Sequence, residues 1–315
     1  MTQTQRTITV ALVANLVLAV AKLAAGLLSG SVALLAEAGH SLADSLNEVF
    51  LGISLVRGGV PADVLHPFGH ARERFLWAFM AAISSFVVGG CLSIGLAIWA
   101  LLQGRSEQNV LVAWVVLAVA LVADGFSLLQ GLQQARREAR ERHLPVWRYL
   151  LHSSDPALRA VVVEDTAALI GVGLAAGGLL LSQLVGNNTP DALAALLIGV
   201  LLAVTAFGLA RSVADFLIGR SVPPERFQQV VTIVSNDPAV EQLLALQAVY
   251  SGPQQVIVAA RVHPTPGLTL DQLTRAMDGL DRTLRTMLPE VVDVFIDVTA
   301  YRLDKPPTEP SSSSN

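Results

Sequence analysis

Residues 33–55 read ALLAEAGHSLADSLNEVFLGISL, and this stretch decides how the rest of the sequence is interpreted. As a helix it would extend about 34 Å, slightly more than the roughly 30 Å hydrocarbon core of a bilayer. Yet Glu37, His40, Asp44 and Glu48 recur at spacings of three or four residues, which places them on one helical face. A charged side chain at the centre of a membrane helix costs about 2.5–3.5 kcal/mol, so this polar face indicates a functional site.

The composition of the whole chain is that of an integral membrane protein. Of its 315 residues, 53% are hydrophobic and only 15% are charged, and the mean hydropathy is +0.56. The net charge of −4 gives no indication of a nucleic-acid partner. Cys91 is the only cysteine, which excludes intrachain disulfides and thiolate metal clusters. The N-terminus lacks the features of a secretory signal, so we expect the first apolar run to remain in the mature protein.

Six apolar runs are long enough to cross a bilayer. They cover residues 8–29, 32–56, 74–102, 110–133, 158–185 and 191–218. They predict an all-α six-helix transmembrane bundle over residues 8–220, preceded by a short N-terminal segment, residues 1–7. Arginines are concentrated in the second and fourth connections: Arg57, Arg72 and Arg74, then Arg136, Arg137, Arg140, Arg142 and Arg148. The positive-inside rule therefore predicts that both termini are cytoplasmic.

The pattern changes after the sixth run. Residues 221–303 predict a cytoplasmic α+β domain with the order helix, strand, strand, helix, strand (αββαβ), which is ferredoxin-like or metallochaperone-like. Gly252-Pro253 separates the first two strands as a hairpin turn, and Thr269 is positioned to start the second helix. The tail, residues 304–315, reads DKPPTEPSSSSN and is expected to be disordered because it contains almost no apolar residues.

A second polar pair, Glu164 and Asp165, interrupts the fifth run. At 1.5 Å per residue, His40 lies about 14 Å below the outer face, and Asp165 lies about 10 Å from the cytoplasmic face. Across a core of about 30 Å, these depths agree to within about one helical turn. Imidazole and carboxylates without thiolates suit a divalent transition metal such as Zn²⁺, Co²⁺, Fe²⁺ or Mn²⁺.

Less specific interpretations stay open for several of these residues. His40 taken alone is also consistent with a hydrogen bond between packed helices. Glu37 and Glu48 lie nearer the membrane faces, where a solvated or ion-paired carboxylate is expected. Asp124 in the fourth run is deep enough to need a partner, and it either pairs with Lys22 of the first run or belongs to an ion pathway.

Three motifs resemble those of the cation diffusion facilitator family of metal transporters. They are GHSLAD (39–44), HPFGHARER (66–74) and DALAALLIGVLL (191–202). The resemblance implies a tetrahedral metal site with two ligands four residues apart on the second helix and two on the fifth. His40 and Asp44 match the first pair, and Asp165 matches one member of the second. The other member falls on Val161, which cannot bind metal, so Glu164 is the expected substitute, as in the mitochondrial-type branch of the family.

The connection between the second and third runs holds a second candidate site. Asp63, His66 and His70 are spaced by three and four residues and resemble the loop-borne zinc site of that family. The alternative is a tight loop in which Pro67 and Gly69 lead into the third helix and the histidines make surface hydrogen bonds. The cytoplasmic domain has few histidines, so it is expected to be a dimerisation platform rather than a metal-binding module.

These features predict a secondary transporter, not an enzyme. It would export a divalent metal, with zinc as the first candidate, from the cytoplasm in exchange for protons. It is expected to be a homodimer in a bacterial cytoplasmic (inner) membrane. Metal ions, protons and lipid are the expected partners, and no cofactor is expected besides the transported ion. Two alternatives stay open: a non-transporting membrane scaffold that has lost the full site, and an intramembrane metalloenzyme whose ligands activate water.

Overall fold

The computed structural model describes residues 3–103, 109–141, 145–152 and 156–300. The chain divides into two compact units, one ending at Asp215 and the other beginning at Phe216. The tail predicted to be disordered lies outside the described residues.

The first unit is helical. Its helices are α1 (Gln3–Ser29), α2 (Val32–Arg57), α3 (Glu73–Ser84), a π-helical segment (Ser85–Cys91), α4 (Leu92–Gln103), α5 (Val110–Glu141), α6 (Val146–His152), α7 (Pro156–Val185) and α8 (Thr189–Ile218). Among the described residues, five helical stretches are long and apolar enough to span a membrane: α1, α3 to α4 taken together, α5, α7 and α8. The sixth predicted span, α2, has 26 residues, and the charged residues of its polar face interrupt its apolar sequence. That α2 also spans the membrane stays a prediction.

Helix α2 is enclosed by several other helices of this unit. It contacts α1, α3, the π-helical segment, α4 and α7. Every residue from Val32 to Ser41 is buried. The ionisable groups of the polar face therefore have other helices around them, and they depend on polar groups from those helices for compensation.

The boundary of the fourth apolar run differs from the prediction. Helix α5 continues to Glu141, eight residues beyond the predicted end at residue 133. Arg136, Arg137 and Arg140, which were predicted to lie in a connection, lie on the last turns of α5. The segment QARREARE consists almost entirely of strong helix formers, so the helix persists after the apolar residues end.

Small residues allow α8 to approach the π-helical segment and α4 closely. A Cβ atom at Gly90 would lie 2.9 Å from Cβ of Ala203, and one at Gly199 would lie 2.8 Å from the backbone nitrogen of Ile94. Such glycine contacts are a common means of packing helices in lipid. Gly90 lies within the π-helical segment, whose extra residue per turn changes which side chains face α2.

Asp191, near the start of α8, caps α2. Its carboxylate accepts hydrogen bonds from the Ser31 hydroxyl at 2.7 Å and from the backbone N–H groups of Val32 and Ala33. Its own N–H donates to the Ser182 hydroxyl at 3.1 Å. The carboxylate thus satisfies donors at the first turn of α2, where the helix dipole also favours negative charge.

Replacing Asp191 by alanine is therefore expected to lower the melting temperature of the protein in detergent by several degrees. The lost cap corresponds to about 0.5–2 kcal/mol. Asp215, on the same helix, is exposed and serves as the matched control, because Asp215→Ala removes a carboxylate without removing a cap. Equal melting temperatures for the two variants would contradict the assigned role of Asp191.

The second unit has the predicted order of elements. It contains α9 (Pro224–Ser235), β1 (Val240–Gly252), β2 (Gln255–Pro264), α10 (Leu270–Met287) and β3 (Val291–Val298). The sheet order is β1-β2-β3, with β1 antiparallel and β3 parallel to β2. The hairpin turn is Pro253-Gln254, and Gln254 has a φ of 57°. Thr269 begins α10 through a reciprocal capping box with Gln272, which confirms the predicted helix start.

Candidate metal centre

His40 and Asp44 face each other on α2. His40 is 3% exposed, and its Nε2 atom lies 3.7 Å from Oδ2 of Asp44. Nε2 of His40 and Oδ1 of Asp44 are both buried, and neither has a hydrogen-bond partner among the described residues. Buried polar atoms are normally satisfied. An imidazole nitrogen and a carboxylate oxygen left unpaired beside each other have the chemistry of metal ligands.

Glu164 of α7 approaches the same place. A small cavity in the first unit is lined by His40 of α2 and Glu164 of α7; Ser85, Ala167, Leu202, Thr205, Ala206 and Leu209 complete its wall. Oε1 of Glu164 accepts a hydrogen bond of 2.7 Å from the side-chain amide of Asn47. Glu164 is therefore held against α2 through Asn47, and it lines the same cavity as His40.

Asp165 and Val161 face another helix. Oδ2 of Asp165 accepts a hydrogen bond of 2.7 Å from the hydroxyl of Ser127 on α5. A Cβ atom at Gly131 of α5 would lie 3.6 Å from a methyl carbon of Val161, so that side chain also packs towards α5. The charge of Asp165 is nevertheless close enough to interact with that of Asp44. Of the adjacent pair on α7, Glu164 shares the cavity with His40, whereas Asp165 is held by α5.

Three polar residues at this site had no role predicted from the sequence: Asn47, Ser85 and Ser127. Asn47 donates to Ser85 at 3.1 Å as well as to Glu164, so one amide joins α2, the π-helical segment and α7. Ser127 holds Asp165. The spacing of Asn47, seven residues after His40 and three after Asp44, puts it on the same face of α2. That spacing was the available signal, but an uncharged amide did not stand out beside carboxylates.

The candidate ligands in the loop after α2 lie closer together than the candidate ligands on α2 and α7. Within the described ranges, Asp63, His66 and His70 are the only three histidine, cysteine or acidic residues whose ligand atoms all lie within 4.8 Å of one another. Carboxylate oxygens of Asp63 lie 3.3 Å from Nδ1 of His66 and 3.6 Å from Nε2 of His70. The structure thus brings these three predicted residues together, whereas His40, Asp44, Glu164 and Asp165 are more widely spaced.

Backbone hydrogen bonds organise this loop around Asp63. Its carboxylate accepts hydrogen bonds from the N–H groups of His66 at 2.6 Å and Leu65 at 2.8 Å. The His66 N–H contributes most to holding the pKa of Asp63 below its ordinary value. Asp63 consequently stays ionised in more acidic solution than an ordinary aspartate, which keeps its carboxylate available as a metal ligand.

Lys22 lies between two carboxylates just outside the candidate centre. Its Nζ atom is 3.1 Å from Oε2 of Glu37 and 3.6 Å from Oδ2 of Asp124. The interpretation of Lys22 and Asp124 as an ion pair is confirmed. Glu37, for which a solvated or ion-paired carboxylate was expected, is ion-paired and fully buried, because α1, α2 and α7 enclose it.

Gly171 of α7 leaves room for the Glu37 carboxylate. A Cβ atom at this position would overlap Oε1 of Glu37. Gly171→Ala is therefore expected to lower the stability of the protein by about 1–3 kcal/mol, as overpacking of a close contact typically does. Gly173→Ala is the matched control, because a Cβ atom there meets nothing within 4 Å. Thermal unfolding in detergent compares them, and an unchanged melting temperature for Gly171→Ala would contradict the close contact.

Membrane-length helices packed around buried polar and ionisable side chains define a polytopic membrane protein. The chain belongs to the cation diffusion facilitator family. The model of the cation efflux transmembrane domain matches residues 8–218, which is most of the chain.

Similarity to characterised members extends over most of the chain. It is 32% identical over 241 residues to the mitochondrial proton-coupled zinc antiporter SLC30A9 of Xenopus laevis, covering 76% of this chain and 43% of that protein. It is 30% identical over 249 residues to metal tolerance protein C4 of Arabidopsis thaliana, covering 79% and 54%. It is 31% identical over 283 residues to the cation-efflux pump FieF of Pectobacterium atrosepticum, covering 87% and 85%. The chain thus spans only about half the length of the first two relatives.

Proposed function

We propose that this protein exports a divalent metal ion, with zinc as the best candidate, from the cytoplasm in exchange for protons. The observation that carries the proposal is the cavity that His40 of α2 and Glu164 of α7 line together, with the unpaired oxygen of Asp44 beside it. The name of the frog relative, a proton-coupled zinc antiporter, supports both the ion and the exchange.

The proposed ligands are His40, Asp44 and Glu164, with Asp165 adjacent. One imidazole and several carboxylates favour zinc over manganese, which prefers oxygen ligands alone. Glu164 takes the place of the ligand that Val161 cannot provide. It reaches the cavity because the Asn47 amide holds it against α2. The spacing in the structure is wider than a coordination shell, so the ligands must move together around the ion as it binds.

Proton exchange follows from the chemistry of these ligands. A dication enters the hydrocarbon only if fixed ligands replace its hydration shell. Imidazole binds metal when it is neutral, and the acidic side chains bind it when they are ionised, so protons and metal compete for the same atoms. Protons arriving from the outside would release the ion, and their loss to the cytoplasm would prepare the site again. Helices that expose a site near mid-membrane to each side in turn accomplish this in other transporters.

We further infer the assembly and the second site from the same features. Asp63, His66 and His70 would hold a second zinc ion in the loop after α2. Helix α2 would be the sixth membrane span, with both termini cytoplasmic, and the second unit would be a ferredoxin-like platform for a homodimer. The similarity to bacterial FieF is consistent with a bacterial cytoplasmic membrane, whereas SLC30A9 is mitochondrial.

The test is metal-dependent proton flux in proteoliposomes that contain the purified protein. Zn²⁺, Mn²⁺, Fe²⁺ and Co²⁺ are added in turn while a trapped dye reports internal pH. Proton movement driven by zinc, and less by manganese, is the expected result. No flux with any of the four metals, from protein shown to be folded, would reject the transporter and favour the membrane scaffold.

A further inference from the structure

The cluster of Lys22, Glu37 and Asp124 has an unbalanced charge. One ammonium group faces two carboxylates, one on α2 and one on α5. The side chains of Lys22 and Glu37 are 0% exposed and that of Asp124 is 16% exposed. With all three groups ionised, the cluster carries a net charge of −1 inside the helix bundle, where an uncompensated charge is costly.

Two carboxylate oxygens in this cluster lack hydrogen-bond donors. Oε1 of Glu37 and Oδ2 of Asp124 are buried without a hydrogen-bond partner in the described part of the chain. Lys22 lies within hydrogen-bond distance of Glu37 only, at 3.1 Å. A single proton added to either carboxyl group would make the cluster neutral. The cluster therefore has both the unbalanced charge and the unpaired oxygen atoms to bind one proton.

Its position links this proton to the metal centre. Glu37 precedes His40 by three residues on α2, and Asp124 precedes Ser127, which holds Asp165, by three residues on α5. The other ionisable groups close enough to interact with the charges of the cluster are His40 and Asp44 of α2 and Asp165 of α7. Helix α4, which also packs against α2, has no titratable side chain. A dication at the centre would add two positive charges about one helical turn away, which favours the ionised cluster.

We propose that Lys22, Glu37 and Asp124 form a proton-binding site separate from the metal ligands. The cluster releases its proton when a dication occupies the centre and takes up a proton when the dication leaves, so it adds one proton to each exchange cycle. This rests on the proposed metal–proton exchange. Protonation moves no electrons; the proton passes between water and one carboxylate oxygen.

The number of protons per metal ion tests this directly. In proteoliposomes with the membrane potential held at zero, net flux stops at a certain ratio of the zinc concentrations on the two sides of the membrane. This balancing zinc ratio depends only on the pH gradient and on the number of protons exchanged per metal ion. Asp124→Asn leaves one lysine and one carboxylate, a cluster that is neutral without a proton. The loss of one proton is expected to lower the balancing zinc ratio about tenfold for each pH unit of gradient. Because the balance point is independent of rate, a variant with low activity still gives a valid result.

Two further variants exclude a merely structural effect. Glu37→Gln neutralises the cluster in the same way and is expected to give the same tenfold shift. The double variant Lys22→Met with Asp124→Asn leaves Glu37 alone with a charge of −1, and the wild-type ratio should return. Any of three results would overturn the inference. They are a wild-type zinc ratio in either single variant, a lowered zinc ratio that persists in the double variant, and loss of transport in both single variants. If the balancing zinc ratio of the wild-type protein did not depend on the pH gradient, the metal–proton exchange itself would be contradicted.

Discussion

Replacing Asp44 by asparagine is expected to lower zinc-driven proton flux in proteoliposomes by more than about 100-fold, since even residues that only orient a metal ligand account for 10–100-fold. The asparagine side chain has nearly the same shape, so the helix should fold normally. It removes the negative charge beside His40 that balances a dication. Zinc binding and the protons it displaces should be lost together, because both use the same carboxylate.

Asp215→Asn provides the control for this experiment. Asp215 is an exposed aspartate of α8 and lies outside the candidate centre. Its variant should retain wild-type flux and confirm that reconstitution works for an Asp→Asn substitution. If Asp44→Asn retained more than about a tenth of the wild-type flux, Asp44 would be removed from the ligand set, because losing a ligand has larger effects than that.

Glu164→Gln is expected to have an effect of similar size, again more than about 100-fold on zinc-driven flux. Glutamine can still accept the hydrogen bond from Asn47, so the variant isolates the charge of the carboxylate. Val161→Ala is the control on the same helix, one turn away. Because Val161 packs towards Gly131 of α5, its truncation should leave transport close to the wild-type level.

These two α7 variants decide which position completes the centre. Activity in Glu164→Gln together with loss of activity in Val161→Ala would contradict the arrangement derived from the structure. Activity in both variants would leave Asp165 as the single α7 ligand, and the Ser127 hydroxyl would then have to release it when metal binds.

Local signals in the sequence predicted most of the fold. Long apolar runs with few charged residues located the membrane-length helices to within a few residues at most ends. The capping box at Thr269 and the turn at Pro253 are local, because their hydrogen bonds and dihedral angles involve residues adjacent in the chain. The predicted end of α5 was wrong because it was placed where the apolar residues stop. The helix-forming residues of the charged extension continue the helix beyond that point.

The remaining features depend on contacts between distant parts of the chain. Asn47 and Glu164 are 117 residues apart in sequence, and Ala33 and its cap Asp191 are 158 apart. No periodic pattern relates such pairs. The rotation of α7, which directs Glu164 to the cavity and Asp165 to α5, is set by packing. The π-helical segment lies in a largely apolar run. Because polar and apolar residues do not recur there with a clear period, the sequence gives no sign of an extra residue in the helical turn.

The central claim is that α2 and α7 hold one divalent ion between His40 and the neighbouring acidic side chains. An anomalous-difference map at the zinc absorption edge, from crystals grown with zinc, measures this most directly. We expect a peak bonded to Nε2 of His40 and to carboxylate oxygens of Asp44 and Glu164, in addition to any peak in the loop. A peak at Asp63, His66 and His70 with none between α2 and α7 would contradict it.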